Sequence, residues 1–203
     1  MVGLRMTPRG DHCGVPPPIP IRAWNSPAIS GWRAAPTKEV ITMSVGISIP
    51  SDVKEPLVAK NFHSLSDYQR AVGGYIEAIS LGHRGIGFFA NEEAKLIGLR
   101  FNWRATMLWW LHQFPDRSND AICGDVVLVG PADERGATQS LPDWLRLLLL
   151  TASTFAVEVK ETETTGWQRT SHVFTDYFDA CSWGLDFAWR QPTVKQIRVV
   201  AVA

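Results

Sequence analysis

Cysteine is scarce in this 203-residue chain: Cys13, Cys123 and Cys181 are odd in number, far apart, and form no CxxC pair. That excludes a disulfide-stapled scaffold, a zinc ribbon and a thioredoxin-type motif, and predicts reduced thiols inside a cell. An excess of either charge is also missing: 20 basic residues balance 20 acidic ones. The simplest electrostatic case for a nucleic-acid or membrane partner therefore falls away. There is no long apolar run either. The greasiest stretch, Leu145 to Val157, is interrupted by Arg146 and is too short to cross a bilayer, which takes about 20 residues. A buried helix followed by a strand is expected there, and a cytoplasmic protein with no membrane partner. GxSxG, GxxxxGKS and GxGxxG are absent, and His63, His83, His112 and Cys123 share no metal-ligand spacing. No catalytic residue, metal or cofactor is expected.

What is present is uneven. Seven of the thirteen prolines fall in residues 1–43, with five cations against two anions, a net +3 that leaves −3 for residues 44–203. No hydrophobic period runs through this segment, so it reads as a disordered basic tail, or as the product of a start assigned upstream of Met43. Over the whole chain 45% of residues are hydrophobic, which is ordinary globular chemistry, and residues 44–203 are expected to form a single compact domain.

Local signals predict the elements of that domain. Ser64 and Asp67 form a capping-box pair for a helix with Leu65, Tyr68 and Val72 on one face, ended by Gly73-Gly74. Tyr75–Leu81 and Ile86–Ala90 read as a hairpin, and Lys95–Ile97 as a brief extension of the sheet. Asn102 caps a helix over 103–112 with Trp103, Met107, Trp110 and Leu111 buried. Asp125–Val129 is an interior strand, Pro142 opens a helix over 142–151, and 155–160 alternates as a half-exposed strand. The spacing of Phe174, Phe178, Cys181, Leu185 and Ala188 predicts a helix over 171–189, followed by a last strand over 197–202. Interleaved helices and strands with a hairpin make the fold class α+β, with a mixed or antiparallel sheet and three to four helices.

Four blocks stand in a distinctive order: Val72-Gly73-Gly74-Tyr75-Ile76-Glu77, Asn91-Glu92-Glu93-Ala94-Lys95-Leu96, Leu99 to Thr106, and Gly124 to Leu128. Together they resemble an uncharacterised family, domain of unknown function 3846, over about residues 48–130, with 131–203 as a C-terminal extension. Ala94 stands where that pattern has glycine. The resemblance implies a phage, plasmid or actinobacterial setting and carries no activity.

Few residues ask for a functional reading. Glu77 shares a strand face with Tyr75, Ile79 and Leu81, which points to a structural ion pair with Arg100 or Arg104, to an exposed face, or to catalysis. Arg100 and Arg104 near a helix start, with Lys95 and Asn102, suggest a site for a phosphate, nucleotide or acidic partner, although Asn102 also serves as a cap. Trp109 and Trp110 present indoles to two faces of their helix, so they cannot both face one core, and Trp183 and Phe187 fall off the main stripe of the last helix; all four are candidates for a protein interface. The expectation is a non-enzymatic interaction protein, with a host- or element-encoded partner or a second copy; the alternative is the anion site, with nucleic acid not favoured.

Overall fold

The computed structural model describes residues 43–202 except 83, 84, 117–119 and 165; the predicted tail before Met43 lies outside them. In chain order the elements are β1 (Ser44–Ile49), β2 (Val58–Phe62), α1 (Leu65–Val72), β3 (Ile76–Ser80), β4 (Gly87–Asn91), α2 (Trp103–Gln113), β5 (Val126–Val129), α3 (Asp143–Leu150), β6 (Phe155–Lys160), β7 (Gln168–Phe174), α4 (Tyr177–Trp189) and β8 (Gln196–Ala201). They form an antiparallel five-stranded sheet, β2-β1-β5-β4-β3, and an antiparallel three-stranded sheet, β7-β6-β8. The fold is α+β.

Period-2 alternation sorts the first sheet into two faces. Phe62, Phe89, Val127 and Val129 turn to α1, where they pack with Tyr68 and Val72. Ile47, Ile49, Phe88, Val126 and Leu128 turn to the other side and join Ala105 and Leu108 of α2. With both faces covered, β5 is apolar at every position, as an interior strand requires. The capping box of α1 forms as the sequence indicates, and Gly73 ends the helix at φ 74°, a conformation that favours glycine.

α4 spans the second sheet and also packs on α2, so one apolar cluster draws on both sheets. At Gly184 α4 lies close against β6 and β8. A methyl group there would lie 2.9 Å from Cδ1 of Ile197 and 3.1 Å from a methyl carbon of Val157.

Several expectations fail. The helix predicted over 171–189 begins only at Tyr177: Asp176 caps it, accepting from the backbone N–H groups of Phe178 and Asp179, and the residues before it form β7. An apolar period cannot mark its own start, whereas a cap does. Lys95–Ile97 is a turn, not an extension of the sheet, and Leu96 and Ile97 are exposed. α2 lacks a single buried stripe: Ala105, Thr106, Met107, Leu108 and Leu111 are all buried, while Trp103, Trp109 and Trp110 are half-buried. A helix between a sheet and another helix buries most of its circumference. β6 is buried at five of six positions rather than half-exposed, because β7 and β8 flank it.

Candidate functional site

The residues singled out for anion binding do not converge on one open site: Asn102 and Arg104 are held inside the fold, while Lys95 and Arg100 are exposed and engaged in surface ion pairs. Asn102 is fully buried. Its Oδ1 accepts from the Ala105 N–H (3.0 Å), and its Nδ2 donates to the carbonyls of Ile49 and Gly124 (2.9 Å each). It therefore ties the start of α2 to the loops after β1 and before β5. Arg104 is buried as well, and its guanidinium donates to the carbonyls of Pro50 (2.7 Å), Asp52 (2.9 Å) and Glu55 (2.9 Å). Those bonds pin the β1–β2 connection. Arg100 pairs with Asp52 at 3.3 Å, and Lys95 pairs with Asp120.

Glu77 lies on an exposed face of the edge strand β3, and no ion pair joins it to Arg100 or Arg104, which are engaged elsewhere. The structural ion pair is therefore corrected to the exposed-face alternative. Its carboxylate borders a recess of about 330 Å³ shared with Asn91, Glu92, Lys95, Trp109 and Asp120. Burial raises its pKa above the ordinary carboxylate range; Lys95 opposes the shift, while Asp120 and Glu92 add to it. Asn91, at the corner of this recess, is a structural amide. It donates to the carbonyl of Gly73 (3.2 Å) and accepts from the Glu93 N–H (2.8 Å), joining α1 to the turn after β4.

The aromatic candidates are less exposed than their spacing suggests. Trp110 packs edge-on against Trp189 and donates its indole N–H to the carbonyl of Asp120. Trp109, Trp110, Trp183 and Phe187 all pack against the main core. Trp183 stacks on Phe187 and sits 4.4 Å, centroid to centroid, from the ring of His172, beside a small recess of about 300 Å³ along β7.

A larger feature lies elsewhere. A groove of about 800 Å³ runs between α3 and β8. On the helix side Trp144, Leu147, Leu148 and Thr151 form its wall; on the other side stand residues 197–201 of β8. Leu81, Ile86, Leu111 and Tyr177 line the bottom. Of the eight residues of α3 only Leu145 is buried, and Leu147 remains 60% exposed. Among the described residues no carboxylate lines the groove; Arg198 carries its one fixed charge, and His112 is also in its lining. Arg198 is itself organised: with Arg169 it holds Glu158, at 2.7 and 3.1 Å, and it lies 4.2 Å from the ring of Trp167. Burial would raise the Glu158 pKa, but hydrogen bonds and charge from both arginines outweigh it and leave the carboxyl below its ordinary value. Below the groove, burial pushes the Tyr177 hydroxyl and the neighbouring Cys181 thiol well above their ordinary values. A thiol kept protonated is a poor nucleophile.

Residues 43–152 match the model of the domain of unknown function DUF3846. The chain belongs to this family. The match extends beyond the expected 48–130 and runs through α3, so the DUF3846 region comprises the five-stranded sheet with α1, α2 and α3, while the three-stranded sheet and α4 lie outside it. The groove straddles that boundary: its helical wall belongs to the DUF3846 region and its β8 wall does not. No curated protein and no solved structure matches the chain. Among the described residues no helix is long and apolar enough to cross a membrane, and no group of three or more His, Cys, Asp or Glu is placed to hold a metal ion.

The groove and the Glu158 cluster were missed in the sequence. One available signal was the all-round apolar character of Leu145 and Leu147–Leu150, which exceeds what so short a helix buries on one side. The arginines that meet Glu158 come from strands 11 and 40 residues downstream, a pairing no local pattern announces.

Proposed function

We propose that this DUF3846 protein is a non-enzymatic interaction module of a phage- or plasmid-type mobile element, which acts in the cytoplasm and holds a host- or element-encoded protein in the groove between α3 and β8. The observation that carries the reading is the exposed apolar wall of α3, Trp144 and Leu147, standing over an apolar groove of about 800 Å³. A contiguous apolar surface with a tryptophan at its rim is the chemistry by which proteins bind one another. The setting comes from the family resemblance. The anion-binding alternative loses support because Arg100, Arg104 and Lys95 are already engaged.

The test compares the wild-type chain with Leu147→Glu, a substitution at an exposed position. Proteins retained by the immobilised wild-type chain are purified and titrated against both versions by calorimetry. A loss of affinity of about tenfold or more in Leu147→Glu is expected. Equal affinity for both versions overturns the assignment to the groove.

A further inference from the structure

The geometry points to strand addition as the way the groove is filled: an extended segment of a partner protein lies alongside β8 and becomes a fourth strand of the β7-β6-β8 sheet, with α3 closing over it. This rests on the interaction reading above and names the chemistry of the occupant.

Among the described residues β8 is an edge strand, paired with β6 alone. The ladder runs from Phe155 opposite Ala201 to Lys160 opposite Gln196, and just beyond it Val202 donates its N–H to the carbonyl of Thr154. In an antiparallel ladder the main-chain groups that bond to one neighbour recur every second residue. Those of Val200 and Arg198 therefore face β6, and those of Ile197, Val199 and Ala201 face outward. No other element of the described residues takes up their hydrogen bonds.

The outward side is where the groove lies. Residues 197–201 line it consecutively, whereas one face of a strand would contribute only alternate residues. The groove thus runs along the strand's edge and ends on a row of unpaired amide and carbonyl groups. A helix or a lipid chain would satisfy none of them; an extended backbone satisfies them in register.

The surroundings specify the side chains of the added strand. One face of it lies on the side of Ile197 and Val199, above Leu111 and Tyr177, and takes apolar residues. The other lies on the side of Arg198, the one fixed charge in a groove without carboxylates among the described residues, and takes neutral or acidic residues in preference to lysine or arginine. The occupant is therefore a segment of about five or six residues that alternates apolar with polar or acidic. Leu147 and Trp144 of α3 cover it from outside.

The experiment selects ligands for the full chain from a displayed library of random linear dodecapeptides and uses the strongest binder, synthesised, as the probe. Selected sequences are expected to alternate as described, and the probe to slow amide exchange at Ile197, Val199 and Ala201 by about tenfold or more. Two variants accompany it. Ala201→Pro removes an outward N–H at an exposed edge position, where proline is tolerated, and is expected to weaken the probe about tenfold with the melting temperature retained. Leu147→Glu is expected to weaken it at least as much. If Leu147→Glu abolishes binding while Ala201→Pro has no effect and the three amides exchange as before, a partner occupies the groove in another conformation: the interaction reading stands and strand addition fails. If the probe binds both variants as it binds the wild type, both readings fail. No binder from the library, or a dimer by light scattering with those amides already protected, overturns strand addition by a foreign segment.

Discussion

The two sheets treat their edges and polar groups differently. The five-stranded sheet is covered on both faces by α1 and α2, and three of the buried polar side chains around it, Asn91, Asn102 and Arg104, are bonded to carbonyls and amides of the connecting segments. The edge strands of both sheets carry charges, Lys60 in β2, Glu77 in β3, Arg169 in β7 and Arg198 in β8; what sets β8 apart is the apolar groove beside it. The three-stranded sheet holds its one buried charge, Glu158, between two arginines, and leaves the edge of β8 facing an apolar groove. Polarity in the first sheet goes into holding loops in place. In the second, hydrogen-bonding capacity remains available to a partner.

Substitutions can break or sharpen this contrast. The largest effect is expected for Arg104→Ala, which strands the carbonyls of Pro50, Asp52 and Glu55 and should cost about 4 kcal/mol in urea unfolding. A stable variant with weakened anion binding would instead return Arg104 to a ligand role. Next comes Leu145→Ala, expected to cost about 3 kcal/mol because this side chain alone of α3 is buried.

Glu158→Gln should cost about 2 kcal/mol through weakened bonds to Arg169 and Arg198. Its pH dependence has a definite sign. The folded pKa lies below the unfolded one, so the contribution is complete above about pH 4.3 and is lost as the pH falls through the folded value. Stability measured against pH should fall less steeply on the acid side in the Gln variant; an unchanged profile would remove Glu158 as the cause. The smallest effect is expected for Leu147→Ala, within about 0.5 kcal/mol of wild type, since its side chain already meets solvent. A cost comparable to that of Leu145→Ala would mean that the outer face of α3 is covered.

What could be read from the sequence follows the range of the forces involved. The capping box at Ser64, the cap at Asn102, the β3–β4 hairpin and the all-apolar β5 are set by neighbours in sequence, and the structure has them where the residues indicate. The end of β7 continues the spacing of α4 through Phe174, so the sequence alone extends the helix across it, and only the capping bonds of Asp176 reveal the break. Trp109 and Trp110 cannot both face one core on a single-stripe reading, yet both pack against it because the helix packs on two sides. The candidate site was the least legible part. A groove belongs to no element: α3 and β8 are separated by 45 residues of sequence, and each alone looks like an ordinary piece of core.

Gly184 gives this arrangement a control on its hidden side. Ile197, whose terminal methyl lies within 2.9 Å of where a Cβ on residue 184 would be, is also a residue of the groove wall. A single added methyl group would make the Ile197 side chain shift, so the packing behind this wall depends on the absence of a side chain in the interior. The shape of the groove wall can thus be altered by a change that lies outside the groove.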